Sequence, residues 1–394
     1  MPDGAESRVL SVVSSLKDIP ADKWDACAGA DNPFVSHAFL SALEESGSAC
    51  EEMGWIPRHV VIENADGHIE ACAPVYIKTH SYGEYVFDWG WADAYERAGG
   101  RYYPKLQCAV PFSPVPGPRL LVDSKLDAAT QLELRRILLS GIIRVAEQLK
   151  VSSAHITFCD EPTWQLGENT GYLQRIGQQF HWHNNGYKTF DDFLGTLMSR
   201  KRKAIKKERR QVAELDLDIR AISGIDMTEA YWDSFYQFYL ATTDKKWGQN
   251  YLQRDFFSLL GERLPEAIVM IMAFDGEKPV GGALNLKGSD CLYGRNWGSL
   301  ESHKFLHFEC CYYRAIEYAI EHGLARVEAG AQGPHKIQRG YLPVPTYSLH
   351  YIRDPGFENA VENFVTQERA QVEQDIIDIE LAYSPYRKDN DDTQ

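Results

Sequence analysis

The residues best suited to chemistry lie between positions 290 and 352 of this 394-residue chain, in three pieces: CLYGRNW (291–297), ARVEAG (325–330) and AQGPHKIQRGY (331–341). Glu328 stands inside the apolar context of ARVEAG, where burial disfavours the charged carboxylate and would raise its pKa toward that of a general base or an amine-binding group. The competing reading is an ion pair with Arg295 or Arg326, since structural ion pairs perturb pKa values too. His335 and Lys336 follow on a Gly/Pro loop, the kind of segment on which binding residues concentrate, and the bland alternative is a loop that simply exposes two cations. Arg295, Asn296 and Trp297 close the preceding strand and supply polar and stacking groups.

Elements able to position these residues are legible on both sides. CLYGRNW and ARVEAG read as strands joined by a helix over 307–324, and TYSLHYI reads as a final strand. Upstream, AIVMIMAF, an Asp275-Gly276 turn and PVGGALNLK form a hairpin, as RHVVIEN, Asp66-Gly67 and HIEACAPVYIK do in the first half, because Asp-Gly supplies the positive φ of a tight turn. YGEYVFDW is read as a further strand ending at Trp89. Helix 128–149 and strand AHITFCD then match helix 307–324 and ARVEAG, while Trp89-Gly90 matches Trp297-Gly298 and FHWHN matches SLHYI. An internal duplication follows, with an α+β fold of two domains, 1–187 and 188–394, each a mostly antiparallel sheet with a crossover helix and one parallel strand. A helix from about Phe190 to Leu215 opens the second half, and a long helix over about 357–381 precedes an acidic tail.

Composition narrows the class. A hydrophobic content of 44% and a charged content of 25% are those of an ordinary globular protein, and no basic leader or long apolar run is seen. A cytoplasmic protein without membrane insertion is the expectation; oligomeric state is left open. Eight cysteines without a CxxC spacing fit reduced, buried thiols rather than a zinc ribbon or a disulfide framework. His181 and His183 share a strand face but lack a third ligand, so two structural histidines are expected and no metal. A net charge of −15 repels polyanions in general, which makes the run RKRKAIKKERR, with eight basic residues in eleven, locally unusual. Arg200, Arg202, Lys203, Lys206, Lys207 and Arg210 are its candidate phosphate-binding residues, for tRNA, a nucleotide-linked precursor or a phospholipid head group; a solvated face is the alternative.

The segments SYGEYVFDWGWADAYERAGGRYYPKL, FHWHNNGY, SRKRKAIKKERR, LYGRNWGS, HFECCYYRAIEYAIEHGLARVEAGAQGPHK and RGYLPVPTYS carry a resemblance over nearly the whole chain. The order of strands and crossover helix resembles the GNAT acyltransferase core, and its duplication resembles the FemAB-like proteins of bacteria, especially a branch labelled as peptidoglycan biosynthesis or predicted N-acyltransferases. That resemblance implies acyl or aminoacyl transfer to a primary amine, with no tightly bound cofactor and the donor as co-substrate. It implies that the two strands flanking the crossover helix splay around the acyl group, gathering Glu328, His335, Lys336 and Asn296 as catalytic residues. Arg295, Trp297, Arg339 and Tyr341 become substrate-binding residues beside them, Lys336 and Arg339 resembling the basic positions of the Tyr/Phe-Lys-x-x-Phe-type motif of Fem transferases. Asp88, Trp89, Tyr103 and Lys105, with Trp91 and Tyr102, could line an acceptor groove in the first repeat; a local aromatic mini-core is the alternative. The glycine-rich donor loop of GNAT enzymes, which cradles the coenzyme A pyrophosphate at a helix N-terminus, is replaced here by SLESHKFLHFECC. An aminoacyl-tRNA donor therefore gains over acyl-CoA or an acyl carrier protein. A non-catalytic binder of a phosphate-bearing cell-envelope intermediate is the third reading.

Overall fold

The computed structural model describes residues 8–246, 250–330 and 333–387. They form two compact units: unit 1 contains the chain up to 177 together with 251–256 and 345–373, and unit 2 contains 178–250, 257–344 and the segment from 374 on. A single cut at 187/188 was expected. Instead the chain leaves unit 1 ten residues earlier and returns to it twice, which no local composition shift announces.

In unit 1, β1 (Val9–Val13), β3 (His59–Glu63), β4 (Ile69–Ala73) and β7 (Leu121–Val122) form an antiparallel sheet in the order β1-β3-β4-β7. A second sheet starts with β2 (Trp55–Pro57), β5 (Val75–Lys78) and β6 (Lys105–Cys108), paired antiparallel in that order. The Asp-Gly hairpin spans both sheets because each arm is interrupted, one at Arg58 and the other at Pro74, which has no N–H to give to a ladder. β8 (Ser153–Cys159) pairs parallel with β6 after the helix Ala128–Gln148, and the later part of β15 (Leu342–Ile352) pairs antiparallel with β8. The apolar faces of these strands pack on Leu134, Leu138, Leu139, Ile142 and Val145 of that helix. An N-cap at Asp127, accepting from the N–H groups of Ala129 and Thr130, fixes where the helix starts.

YGEYVFDW forms no strand. Tyr85 adopts φ 60°, which breaks an extended run, and Trp89-Gly90 opens a helix, Trp89–Arg97. The unit 1 counterpart of the strand ending in Trp297 is therefore β6, and the Trp-Gly match was an accident of spacing.

Unit 2 repeats the plan. β10 (Asp218–Ser223), β11 (Ile268–Asp275), β12 (Lys278–Lys287) and β13 (Cys291–Ser299) run antiparallel in order. β14 (Arg326–Glu328) is parallel to β13, and residues 181–183 of β9 (Leu173–His183) pair antiparallel with β14. The crossover helix is not continuous: a turn at Leu306–Phe308 leads into a π-helical segment, Glu309–Tyr313, before the regular helix Arg314–Glu321. Leu292, Val327 and Trp182 on one sheet face pack against Ile316, Ala319 and Ile320 of this helix. The expected helix over 190–215 is two helices, Phe190–Thr196 and Ser199–Ala213. Between them Leu197 is extended and bridges to Tyr386, and the Met198 N–H is given to the Pro385 carbonyl.

Candidate active site

β13 and β14 pair only at Cys291–Arg326, Leu292–Val327 and Tyr293–Glu328. Beyond them β13 stays with β12, and a bulge at Arg295 shifts the register so that Asn296 faces Leu284 and Trp297 faces Ala283. The extra residue sets direction. Asn296 shares the sheet face of Tyr293 and Glu328, whereas Trp297 joins the helix-side core and packs against His307 at 5.5 Å. Gly294 sits tightly at the divergence, where a Cβ would stand 3.3 Å from the Glu328 carbonyl oxygen.

Glu328 is 5% exposed. Its Oε1 accepts from Arg326 Nε at 3.2 Å, while Oε2 has no hydrogen-bond partner among the described residues. Burial raises its carboxyl to about 7, with Arg326 opposing. The ion pair with Arg326 is present, and it does not fully compensate the burial. Arg326 is itself divided, because Asp290 also binds its guanidinium.

Lys336 and Arg339 are not exposed cations. They lie on the 3₁₀ segment Pro334–Arg339 and are 2% and 7% exposed. Lys336 Nζ donates to the Gly330 carbonyl at 2.6 Å, and burial pulls its ammonium down to about 8, with the Cys311 side chain opposing and Arg295 adding to the effect. Arg339 is committed elsewhere: Nη2 reaches both oxygens of Glu208 at 3.1 and 2.9 Å, Nη1 reaches the His335 carbonyl, and the guanidinium lies 3.5 Å over the Phe308 ring. Tyr341 is fully buried against Tyr312. These two residues belong to the core of the loop, not to its outer surface.

His335 is exposed, and its Nε2 meets Tyr312 Oη at 2.8 Å. Gly333, at φ 122°, leaves room for that ring, because a Cβ would lie 2.4 Å from His335 Cε1. The π segment supplies the partner side chains, Tyr312 toward His335 and Tyr313 toward Glu208. Such a segment inside an α-helix is unfavourable in isolation and is held here by ion pairs from the basic helix: Arg209 bonds Glu309 at 2.9 Å and Glu317 at 2.6 Å. The four residues expected to be catalytic therefore separate, Glu328 and Asn296 on one sheet face and His335 on the side of the crossover helix. Lys336 is felt electrostatically by His181, which stands on the Glu328 face.

Along Ser199–Ala213, Ile205 and Val212 are buried, while Arg200, Lys203, Lys207 and Arg210 are exposed at a spacing that puts them on one face. Lys206 is exposed but pairs with Asp191 at 3.0 Å, and Arg202 is half-buried. Arg209, by contrast, turns inward to Glu309 and Glu317.

In unit 1, Lys105 and Asp88 do not line a groove. Lys105 is fully buried, bonded to Glu84 at 2.7 Å, to Ser81 at 2.9 Å and to Asp88. Burial works against ionisation of Asp88, but Lys105 and hydrogen bonds outweigh it and hold this carboxyl well below its usual range; burial raises Glu84 to about 7. Tyr102 Oη donates to Asp88 at 2.6 Å, and Tyr103 Oη bonds Ser81. Trp89 is 39% exposed and packs edge-on to Tyr82.

His181 and Gln179, across from Glu328, were missed as site residues, as was Tyr312. The alternation QQFHWH does mark one polar face of β9, but nothing local says which strand it joins.

The chain matches the FemAB-like family, described as peptidoglycan biosynthesis/recognition, over residues 15–388. Among solved structures it is similar to FemX (12% identity, 90% of this chain and 100% of that one, TM-score 0.54). It is also similar to L-PGS from Bacillus licheniformis (10%, 89% and 96%, TM-score 0.53). The C-terminal domain of a putative lysylphosphatidylglycerol synthetase from Agrobacterium fabrum gives 8%, 88% and 95%, with a TM-score of 0.54. No curated protein matches. At such identities the structures speak for the fold alone; with the family match over nearly the full length, this chain belongs to the FemAB-like family and shares the fold of these proteins.

Proposed function

We propose that this protein is an acyltransferase that moves an aminoacyl or acyl group from an activated donor onto a primary amine of a cell-wall precursor or related metabolite. The observation that carries the reading is Glu328, a buried carboxyl held near neutrality where β13 and β14 part. Glu328 takes a proton from the acceptor ammonium. The free amine attacks the acyl carbon, its nitrogen–carbon bond forms, the carbon–oxygen or carbon–sulfur bond to the donor breaks, and the second proton shed by the nitrogen leaves on the donor's oxygen or sulfur. Lys336 and the Asn296 amide supply donors for the developing oxyanion, while His335 with Tyr312, on the crossover-helix side, takes no part at the face of Glu328. The absence of the glycine-rich donor loop before the crossover helix agrees with an aminoacyl donor rather than acyl-CoA. So does the start of the crossover helix: Phe305 at φ 66° and a three-residue turn give no regular helix end for a pyrophosphate. The exposed face of the basic helix is then the surface for tRNA, with its donor end directed to unit 2.

Incubating the protein with a labelled amine and either charged tRNA or acyl-CoA tests this. Consumption of charged tRNA that stops in Glu328→Gln is the expected result; transfer from acyl-CoA alone sinks the tRNA donor, and undiminished turnover by Glu328→Gln sinks the assignment of the base.

A further inference from the structure

The register of β9 on β14 sets His181 directly across from Glu328, and Trp182 and His183 across from Val327 and Arg326. His181 Nδ1 lies 3.9 Å from Glu328 Oε1, and its Nε2 lies 3.2 Å from Gln179 Oε1. We propose that His181 is a positioning residue for Glu328, its Nδ1 set by the strand register 3.9 Å from Oε1, where it can accept the carboxyl proton when the two close together. This rests on the reading of Glu328 as the base and adds a residue to it.

The tautomer follows from the partners. An amide oxygen can only accept, so the Gln179 contact puts the imidazole proton on Nε2. Nδ1 is then an acceptor. Against an ionised Glu328 it would oppose lone pair to lone pair; toward a protonated one it is an acceptor, which bonds once the 3.9 Å separation shortens into hydrogen-bond range. Burial, with help from His183, Arg326 and Lys336, holds His181 neutral at about 3, so the imidazole does not compete by ionising. Around Glu328 the charged and titratable groups are Arg326 on its own strand, Asp290 behind Arg326, and Cys291 and Tyr293 on β13. Arg295 acts on Lys336. The Cys291 thiol also hydrogen-bonds the carboxyl and favours its charged form, the opposite of what an acceptor at Nδ1 does. Two adjacent sites of this kind titrate as a pair rather than as separate residues.

The arrangement explains why a strand far away in sequence presents a polar face at this point, and it differs from a merely structural histidine in a measurable way. Nitrogen-15 NMR of the full-length protein, labelled in histidine, with carbon-13 in the glutamate carboxyls, reads it without any substrate. His181 signals are assigned by their loss in His181→Asn, or in His181→Gln if the first variant does not fold. The expected result is an Nε2–H tautomer whose Nδ1 shift moves in step with the Glu328 carboxyl and no longer moves in Glu328→Gln. An Nδ1–H tautomer, or an Nδ1 shift that ignores Glu328, overturns the proposal. In the transfer assay, His181→Asn should lower kcat about tenfold, leave KM near its original value and move the acidic limb of the pH profile to lower pH, since the neutral carboxyl loses its acceptor. Activity surviving in Glu328→Gln would reject the base itself and leave the NMR coupling standing, so the two failures are distinguishable.

Discussion

Unit 1 and unit 2 each bury cations on the polar side of the same strand plan, and they treat them differently. In unit 1, Lys105 has two carboxylates and a hydroxyl, and Arg119, fully buried, gives its N–H groups to the carbonyls of Thr157, Gly117, Pro118 and Val115. The end of β8 is further occupied by the Gly117 N–H on the Phe158 carbonyl. In unit 2 the cation after the parallel strand, Lys336, has one described acceptor, a carbonyl rather than a carboxylate; one oxygen of Glu328 lacks a partner among the described residues, as does one each of Glu84 and Asp88 in unit 1. A compensated buried ion fixes structure. An under-compensated one has its pKa displaced toward neutrality and can exchange a proton, which is what transfer chemistry requires. Glu84 complicates the contrast, being raised to about 7 as well, yet it is bonded to Lys105.

The contrast can be broken in several ways. The largest effect belongs to Glu328→Gln, which should cost about 10²–10⁴-fold in transfer while circular dichroism stays unchanged; Glu84→Gln should cost none, and equal losses would erase the distinction between the units. Next, Lys105→Met leaves Asp88 and Glu84 without their cation and should destabilise by about 3–5 kcal/mol in urea titration, with the folded fraction still active. A stable Lys105→Met protein that has lost transfer would move the chemistry into unit 1.

A smaller signature is shared by both units. Glu84 and Glu328 have folded-state values raised from 4.5 to about 7, so each contributes stability that is complete below about pH 4.5 and is lost as pH rises through about 7. Either glutamine variant should flatten the fall in urea midpoint between pH 5 and 8, by no more than about 3 kcal/mol per site. Asp88 works with the opposite sign, its contribution being lost as pH falls below the normal carboxylate range. The smallest effect concerns the basic helix: Lys203→Glu and Lys207→Glu should each lower the slope of log affinity for tRNA against log salt by about 0.9, with little change in stability. An unchanged slope would leave that face merely solvated.

Much of unit 2 was readable because its signals are local. Alternation, the Asp275-Gly276 turn and the apolar helix face define β11 to β14, and Glu328 stands out as a carboxylate in an apolar strand. YGEYVFDW misled because strand propensity describes a half-buried pleated surface, whereas Ser81, Glu84 and Asp88 tether this stretch to Lys105. The helix over 307–324 was found but not its π segment, which depends on Arg209 from a different helix. Arg339 and Tyr341 looked like ligand-binding residues because a Gly/Pro loop is usually exposed, and this one folds its cations inward.

By itself, then, the sequence determined the duplicated strand plan, the place of the crossover and the candidacy of Glu328, all of which rest on periodicity and turn chemistry within short windows. Tertiary structure alone decided which charges are compensated, since that depends on neighbours brought from distant strands. His181 opposite Glu328, Glu208 beneath Arg339 and Lys105 between two carboxylates are facts of pairing and burial, and the desolvation that tunes each group exists only once the chain has closed around it.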